Sequence, residues 1–240
     1  MIKLRHYRFS VSLLALAMVV AGGKLSAQEG ALGAASPLVI MSRKQAAKLI
    51  MVQPPPEYPP VAKVNYLQGH VQLELTVNGA GKVTRAHVLK GNAMFAASAL
   101  KAARRWVYHP LTTASGPSGF ITSVELKFSL DYGASQLTPQ RAERDFQRQI
   151  KPPQVVRTEE GARPEDVVHM RLLVNEQGEV DDMETSPTGK AQFEAARETL
   201  RGWTFRPAHW GTLPIASYLE VDVPISTPPV ARAAAAPTGR

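Results

Sequence analysis

The chain has 240 residues, no cysteine, 19 prolines and a formal charge of +8. Without cysteine there is no disulfide, no thiol redox chemistry and no thiolate-held metal. The positive charge does not point to nucleic acid, because the basic residues are scattered rather than gathered into a stripe.

Four of those cations lie at the start. Lys3, Arg5 and Arg8 precede an apolar run from Phe9 to Ala21, and Leu25-Ser26-Ala27 offers a cleavage site before Gln28. The run is shorter than the roughly 20 residues of a spanning helix. Residues 1–27 therefore read as a signal peptide, or else a short anchor, and the bulk of the chain as exported. With Lys24 also removed, 24 basic and 20 acidic residues remain.

Residues 28–53 form a lead-in segment. Within it, Ser42 to Val52 reads as a short helix with Ser42 as its cap. Prolines at 54 to 56 end it. Val71, Leu73, Leu75 and Val77 alternate with Gln72, Glu74 and Thr76, which predicts a strand. Asn78 to Gly81 is a turn and Val83 to Leu89 the returning strand, with glycine supplying positive φ. A helix follows from Ala93 to Val107, with Phe95, Ala99 and Trp106 on one face. A loop then leads to a last strand, Ile121 to Leu130.

Moving the sequence by 97 residues reproduces this order. Between Pro55 and Phe128, 14 of 74 positions are identical without a gap. They include Pro55 with Pro152, Pro56 with Pro153, Gly81 with Gly178, Trp106 with Trp203 and Pro110 with Pro207. The second helix offers Phe193, Ala196, Leu200 and Trp203 on its apolar face. The chain thus reads as two tandem α+β units, each a three-stranded antiparallel sheet with a helix on one face. The first spans residues 54–131 and the second 152–226. A linker helix at 132–151 joins them, and a disordered tail covers 227–240. The units differ in charge. Pro55 to Leu130 holds eight basic and three acidic residues, Pro152 to Ser226 seven and thirteen. Either the halves attract each other, or they face different partners, or the difference is drift on solvated faces.

Three phrases of the first unit carry a resemblance: Glu57-Tyr58-Pro59-Pro60-Val61-Ala62, Gln68-Gly69-His70-Val71, and Arg104-Arg105-Trp106-Val107-Tyr108-His109-Pro110. Together they resemble the C-terminal domain of TonB, the periplasmic energy transducer. The second unit keeps the Gly178 turn and the Trp203 to Pro207 ending but has Val155-Val156 in place of Tyr58-Pro59. The resemblance implies a non-enzymatic module that captures an extended TonB box from an outer-membrane transporter by adding it to a sheet edge. It implies ExbB/ExbD-like inner-membrane proteins as further partners, and no cofactor. By the same analogy the docking residues are Gln53, Tyr58, Pro59, Ile121, Val124, Leu126 and Phe128. Trp106, Trp203, Phe95, Phe193, Gly81, Gly178, Pro110 and Pro207 are assigned to the fold.

The histidines show no metal-ligand spacing, and no nucleophile motif frames a serine. An enzyme is therefore not expected. The alternative is a soluble periplasmic scaffold or regulatory protein whose sheet edges serve self-association, as in a homodimer, or other partners.

Overall fold

A computed structural model describes residues 38–114, 116–130, 144–157, 166–185 and 188–225. The leader, the first part of the lead-in, most of the linker and the tail lie outside the described residues.

The first half opens with β1 (Val39–Met41) and α1 (Arg43–Ala47). Ser42 caps α1 reciprocally: its Oγ accepts the Gln45 N–H, and Gln45 Oε1 accepts the Ser42 N–H. The helix expected to reach Val52 stops at Ala47. Ile50–Val52 instead forms β2, which pairs antiparallel with β5. After α2 (Pro60–Val64) come β3 (Gly69–Val77), β4 (Val83–Lys90), α3 (Ala93–Ala103) and β5 (Val107–Tyr108). β6 (Leu111–Thr113), β7 (Gly116–Ser118) and β8 (Phe120–Phe128) complete the half.

The period-two alternation of β3 is fully realised. Val71, Leu73, Leu75 and Val77 are all buried, each worth about 1.5–3 kcal/mol of burial. They meet α3, whose alanines at 96, 99 and 103 let its axis lie close to β3 and β4. Asn92 starts that helix by accepting the Met94 N–H at 3.0 Å. The helix ends at Ala103, four residues before the sequence suggests, because Val107 and Tyr108 are drawn out to pair with β2.

In the second half, residues 144–147 are helical (α4). β9 (Ile150–Lys151), β10 (Gln154–Arg157), β11 (Asp166–Val174) and β12 (Val180–Thr185) follow. Then come α5 (Lys190–Leu200), β13 (Thr204–Arg206), β14 (Ala208–Trp210), β15 (Leu213–Ile215) and β16 (Ser217–Ile225). The 97-residue step holds from β3 onward: Gly69 to Asp166, Ala93 to Lys190 and Phe120 to Ser217 all differ by 97.

The step fails before β3. Tyr108 pairs with Ile50, and its counterpart Phe205 pairs with Val155, so the equivalent positions Ile50 and Val155 lie 105 apart. From Val52 to Gly69 is 17 residues, from Arg157 to Asp166 only nine. The intervening stretch is thus eight residues shorter than the one that holds Tyr58 and α2 in the first half. Pro152 and Pro153 precede β10, whereas Pro55 and Pro56 follow β2. Their identity in the gapless register is therefore not a structural equivalence.

The main sheets differ too. The second is three-stranded, β12-β11-β16, as the repeat predicts. The first has a fourth strand, in the order β1-β8-β3-β4. β1 is the addition, and it runs parallel to β8.

Each hairpin turn is locked to the end of its helix. Asn78 Oδ1 accepts the N–H groups of Ala80 and Lys82, and Asn175 Oδ1 those of Gln177 and Glu179. Gly81 has φ +79, and a Cβ there would stand 1.9 Å from the Tyr108 carbonyl oxygen. Gly178 has φ +83, with 2.4 Å to the Phe205 oxygen. The glycine and the Trp-x-Tyr/Phe phrase are thus one contact, which is why both halves retain both.

Candidate strand-docking edge

β8 carries Phe120, Thr122, Val124, Leu126 and Phe128 on its buried face and Ile121, Ser123, Glu125 and Lys127 on the other. Its inner neighbour is β3. Its outer neighbour is β1, in the register Val39 to Phe120, Ile40 to Ile121 and Met41 to Thr122. The Val39 N–H donates to the Gly119 carbonyl at 3.0 Å. Gly119 admits this approach because it has no side chain: a Cβ would lie 2.6 Å from the Val77 oxygen and 2.7 Å from Leu38. Val39 and Met41 point toward the core, while Ile40 is 86% exposed. The chain then turns at Ser42 into α1, which lies against β8. Arg43 reaches Glu125 at 2.8 Å. That hydrogen bond and the Arg43 charge hold the Glu125 carboxyl below its ordinary pKa.

Of the residues expected to dock a partner, Val124, Leu126 and Phe128 are buried and support the edge from beneath. Ile121 faces outward beside Ile40, and Gln53 is exposed. The Tyr58 ring lies edge-on to Phe95 at 5.6 Å and to Phe128 at 5.8 Å, and those two phenyl rings stack at 4.5 Å. Its hydroxyl donates to the Leu67 carbonyl. Pro59 precedes α2, whose first residue is Pro60. The Ser98 hydroxyl donates to the Glu57 carbonyl, and Trp106 Nε1 donates to the Pro54 carbonyl at 3.1 Å. The segment from Pro54 to Tyr58 thereby runs along α3 and closes the core beside β8.

Of the residues assigned to the fold, Phe95, Trp106 and Gly81 are buried, and Pro110 is exposed. Phe193, Trp203, Gly178 and Pro207 are half-buried. The Trp203 Nε1 atom itself is buried without a hydrogen-bond partner. α5 sits against β16 and β11. The Tyr108 ring meets Phe120 edge-on at 5.4 Å. Burial pushes the Tyr108 hydroxyl up to about 12.

The far edge of the first sheet, β4, is covered by the second half. Asp182 on β12 accepts the Val88 N–H at 2.7 Å and lies 3.0 Å from His87 Nδ1. Arg104 donates to the Asp181 carbonyl at 2.7 Å. The Tyr218 hydroxyl donates to the Gly91 carbonyl at 3.3 Å, under the Arg171 guanidinium. Phe146, Leu173, Ala208 and Ile215 join the first half's core. The opposite charges of the halves thus meet at this junction. Sequence reasoning gave Asp181 and Asp182 no role. The signal available was the sign change at Thr84-Arg85, their counterparts in the 97-residue register.

Among the described residues no three metal-ligating side chains converge, and no helix is long and apolar enough to cross a membrane. A comparison with curated proteins found no match. A family model does match residues 54–130, about a third of the chain, and it does not register the second half. Its span runs from the Pro54 carbonyl that holds Trp106 to the end of β8, so the matched unit includes the Tyr58 segment that the second half lacks. Residues 54–130 are thus similar to the family described as Gram-negative bacterial TonB protein C-terminal.

Proposed function

We propose that the protein works in the periplasm as a TonB-like binding and transducing protein. Its first half takes an extended segment of an outer-membrane transporter as an added strand on β8. The observation that carries this reading is the parallel pairing of β1 with β8. The outer edge of β8 already accepts a strand from outside its own antiparallel meander. Main-chain hydrogen bonds supply the affinity in such an arrangement, and alternate side chains the selection. Val124, Leu126 and Phe128 hold the edge straight by anchoring it in the core. Ile121 flanks the incoming strand, and the Gln53 to Pro59 segment closes the layer behind it. Any coupling to ExbB/ExbD-like proteins is made through residues ahead of β1.

Self-association through β16 is the weaker reading. Its outer edge carries no strand among the described residues. However, Glu220 and Asp222 point outward there, and a two-fold pairing would bring like charges together.

The test is titration of the mature chain with TonB-box peptides from the transporters of the same cell, followed by amide NMR. Shifts centred on Ile121 to Glu125 are expected. Shifts confined to β16, or none with any peptide, defeat the reading.

A further inference from the structure

Residues 38–41 do more than lengthen the first sheet. We infer that β1 is a tethered occupant of the β8 edge, which an incoming strand must displace. The inference rests on the added-strand reading above and gives it a regulation.

Four observations carry it. First, β1 lies where an added strand would lie, on the one face of β8 that β3 does not use. Second, among the described residues β16 holds its place in the second sheet without any such strand. Third, it is weakly held. It is three residues long against the nine of the β3–β8 ladder. Ile40 is 86% exposed and Leu38 46%. The Arg43–Glu125 pair beyond it is about half-exposed on both sides, and such pairs contribute little. Fourth, it has a hinge. The capped start of α1 at Ser42 fixes where β1 can lift away without unwinding the helix.

The strap also describes its competitor. It runs parallel to β8 and turns two apolar side chains, Val39 and Met41, toward the core while Ile40 faces water. A displacing segment should be extended, enter in the same direction and carry apolar residues at alternate positions. It needs a residue with a free N–H opposite Gly119, where Val39 now donates.

Tethering makes β1 an intramolecular competitor, so apparent affinity for any segment in trans falls by the fraction of time the edge is open. The probe is a synthetic peptide copying Ser36 to Arg43, titrated into the full mature chain. The wild-type chain should bind it at least about ten-fold more weakly than Val39→Pro, which removes the donor to Gly119. A second pair of states guards against misfolding of that variant. Ile40→Cys with Ile121→Cys places two thiols on paired, outward positions, and the chain has no other cysteine. Oxidised, this variant should not bind the peptide. Reduced, the same variant should bind it, so the comparison is between its own two redox states. If wild-type, Val39→Pro and the oxidised variant all bind alike, β1 is not a competitor, and the docking site lies elsewhere. If Val39→Pro frees residues 38–41, seen as rapid amide exchange at Ile121 and Ser123, and still binds nothing, the added-strand reading fails and the strap falls with it.

Discussion

The indole N–H of Trp106 donates to the carbonyl of Pro54 at 3.1 Å, a bond that ties the end of α3 to the segment leading into the domain. Trp203, the counterpart of Trp106, keeps its indole nitrogen buried with no acceptor.

Replacing each tryptophan by phenylalanine separates the two cases. Trp106→Phe leaves the Pro54 carbonyl without its donor and should cost about 1–3 kcal/mol. Trp203→Phe removes a buried donor that has no partner, and should change stability by less than about 0.5 kcal/mol or raise it. Urea denaturation of both variants measures this. Equal losses would show that the hydrogen bond is not what distinguishes the halves.

Gly81→Ala and Gly178→Ala each force a Cβ into a carbonyl oxygen and a positive φ on a residue that resists it. Each should destabilise by more than about 1 kcal/mol, with Gly81→Ala the worse because its contact is the closer. Gly116→Ala is the control: its φ is +105, but nothing lies within 4 Å of the new carbon. Thermal melts should rank Gly81→Ala below Gly178→Ala, and both below Gly116→Ala.

The junction between halves should be pH-dependent through His87. Its hydrogen bond to Asp182 raises its pKa above 6.5, aided by the charges of Asp182 and Glu184 and opposed by burial and Arg85. A raised value in the folded chain means that protonated His87 stabilises it. That contribution is complete below pH 6.5 and is lost as pH rises through the folded value. The stability difference between the wild-type chain and His87→Gln should therefore shrink between pH 6 and the upper end of that titration, by about the amount the pKa shift dictates. Asp182→Asn should return the His87 NMR titration midpoint toward 6.5, and an unchanged midpoint would refute the pairing.

The Tyr58 ring packs against Phe95 and Phe128, and its hydroxyl donates to the Leu67 carbonyl. Tyr58→Phe loses the donor to Leu67 and should cost about 1 kcal/mol, leaving peptide affinity at the β8 edge unchanged. Tyr58→Ala removes the ring from between Phe95 and Phe128 and should cost about 3–5 kcal/mol. A Tyr58→Phe variant that is fully stable but binds peptide poorly would reassign this residue to recognition.

The hairpins, the Gly81 and Gly178 turns and the helix faces were legible in the sequence. Each is a local pattern, an alternation or a spacing, repeated 97 residues on. Three features were not legible, because each is decided by a distant partner. Val39-Ile40-Met41 is too short to alternate, and its partner Phe120 lies some eighty residues away. Trp106 to Tyr108 continues the helical pattern and leaves the helix only because Ile50 pairs with Tyr108. The shorter stretch of the second half was hidden by chance, since Pro152 and Pro153 align with Pro55 and Pro56 while serving different places. The proposed docking edge was legible by analogy alone. Its present occupant, β1, falls in a stretch that reads as lead-in and helix cap.

Phe146, Leu173, Ala208 and Ile215 complete a core whose other buried residues come before Leu130. The ribosome makes those residues first. Until the chain has grown past Ile215, the first half carries an apolar face that the finished protein never shows to water. Such transiently open faces favour aggregation. During synthesis the early half must therefore stay unfolded or escorted, and a fragment cut after Leu130 should express poorly even though its own sheet and helix are entire.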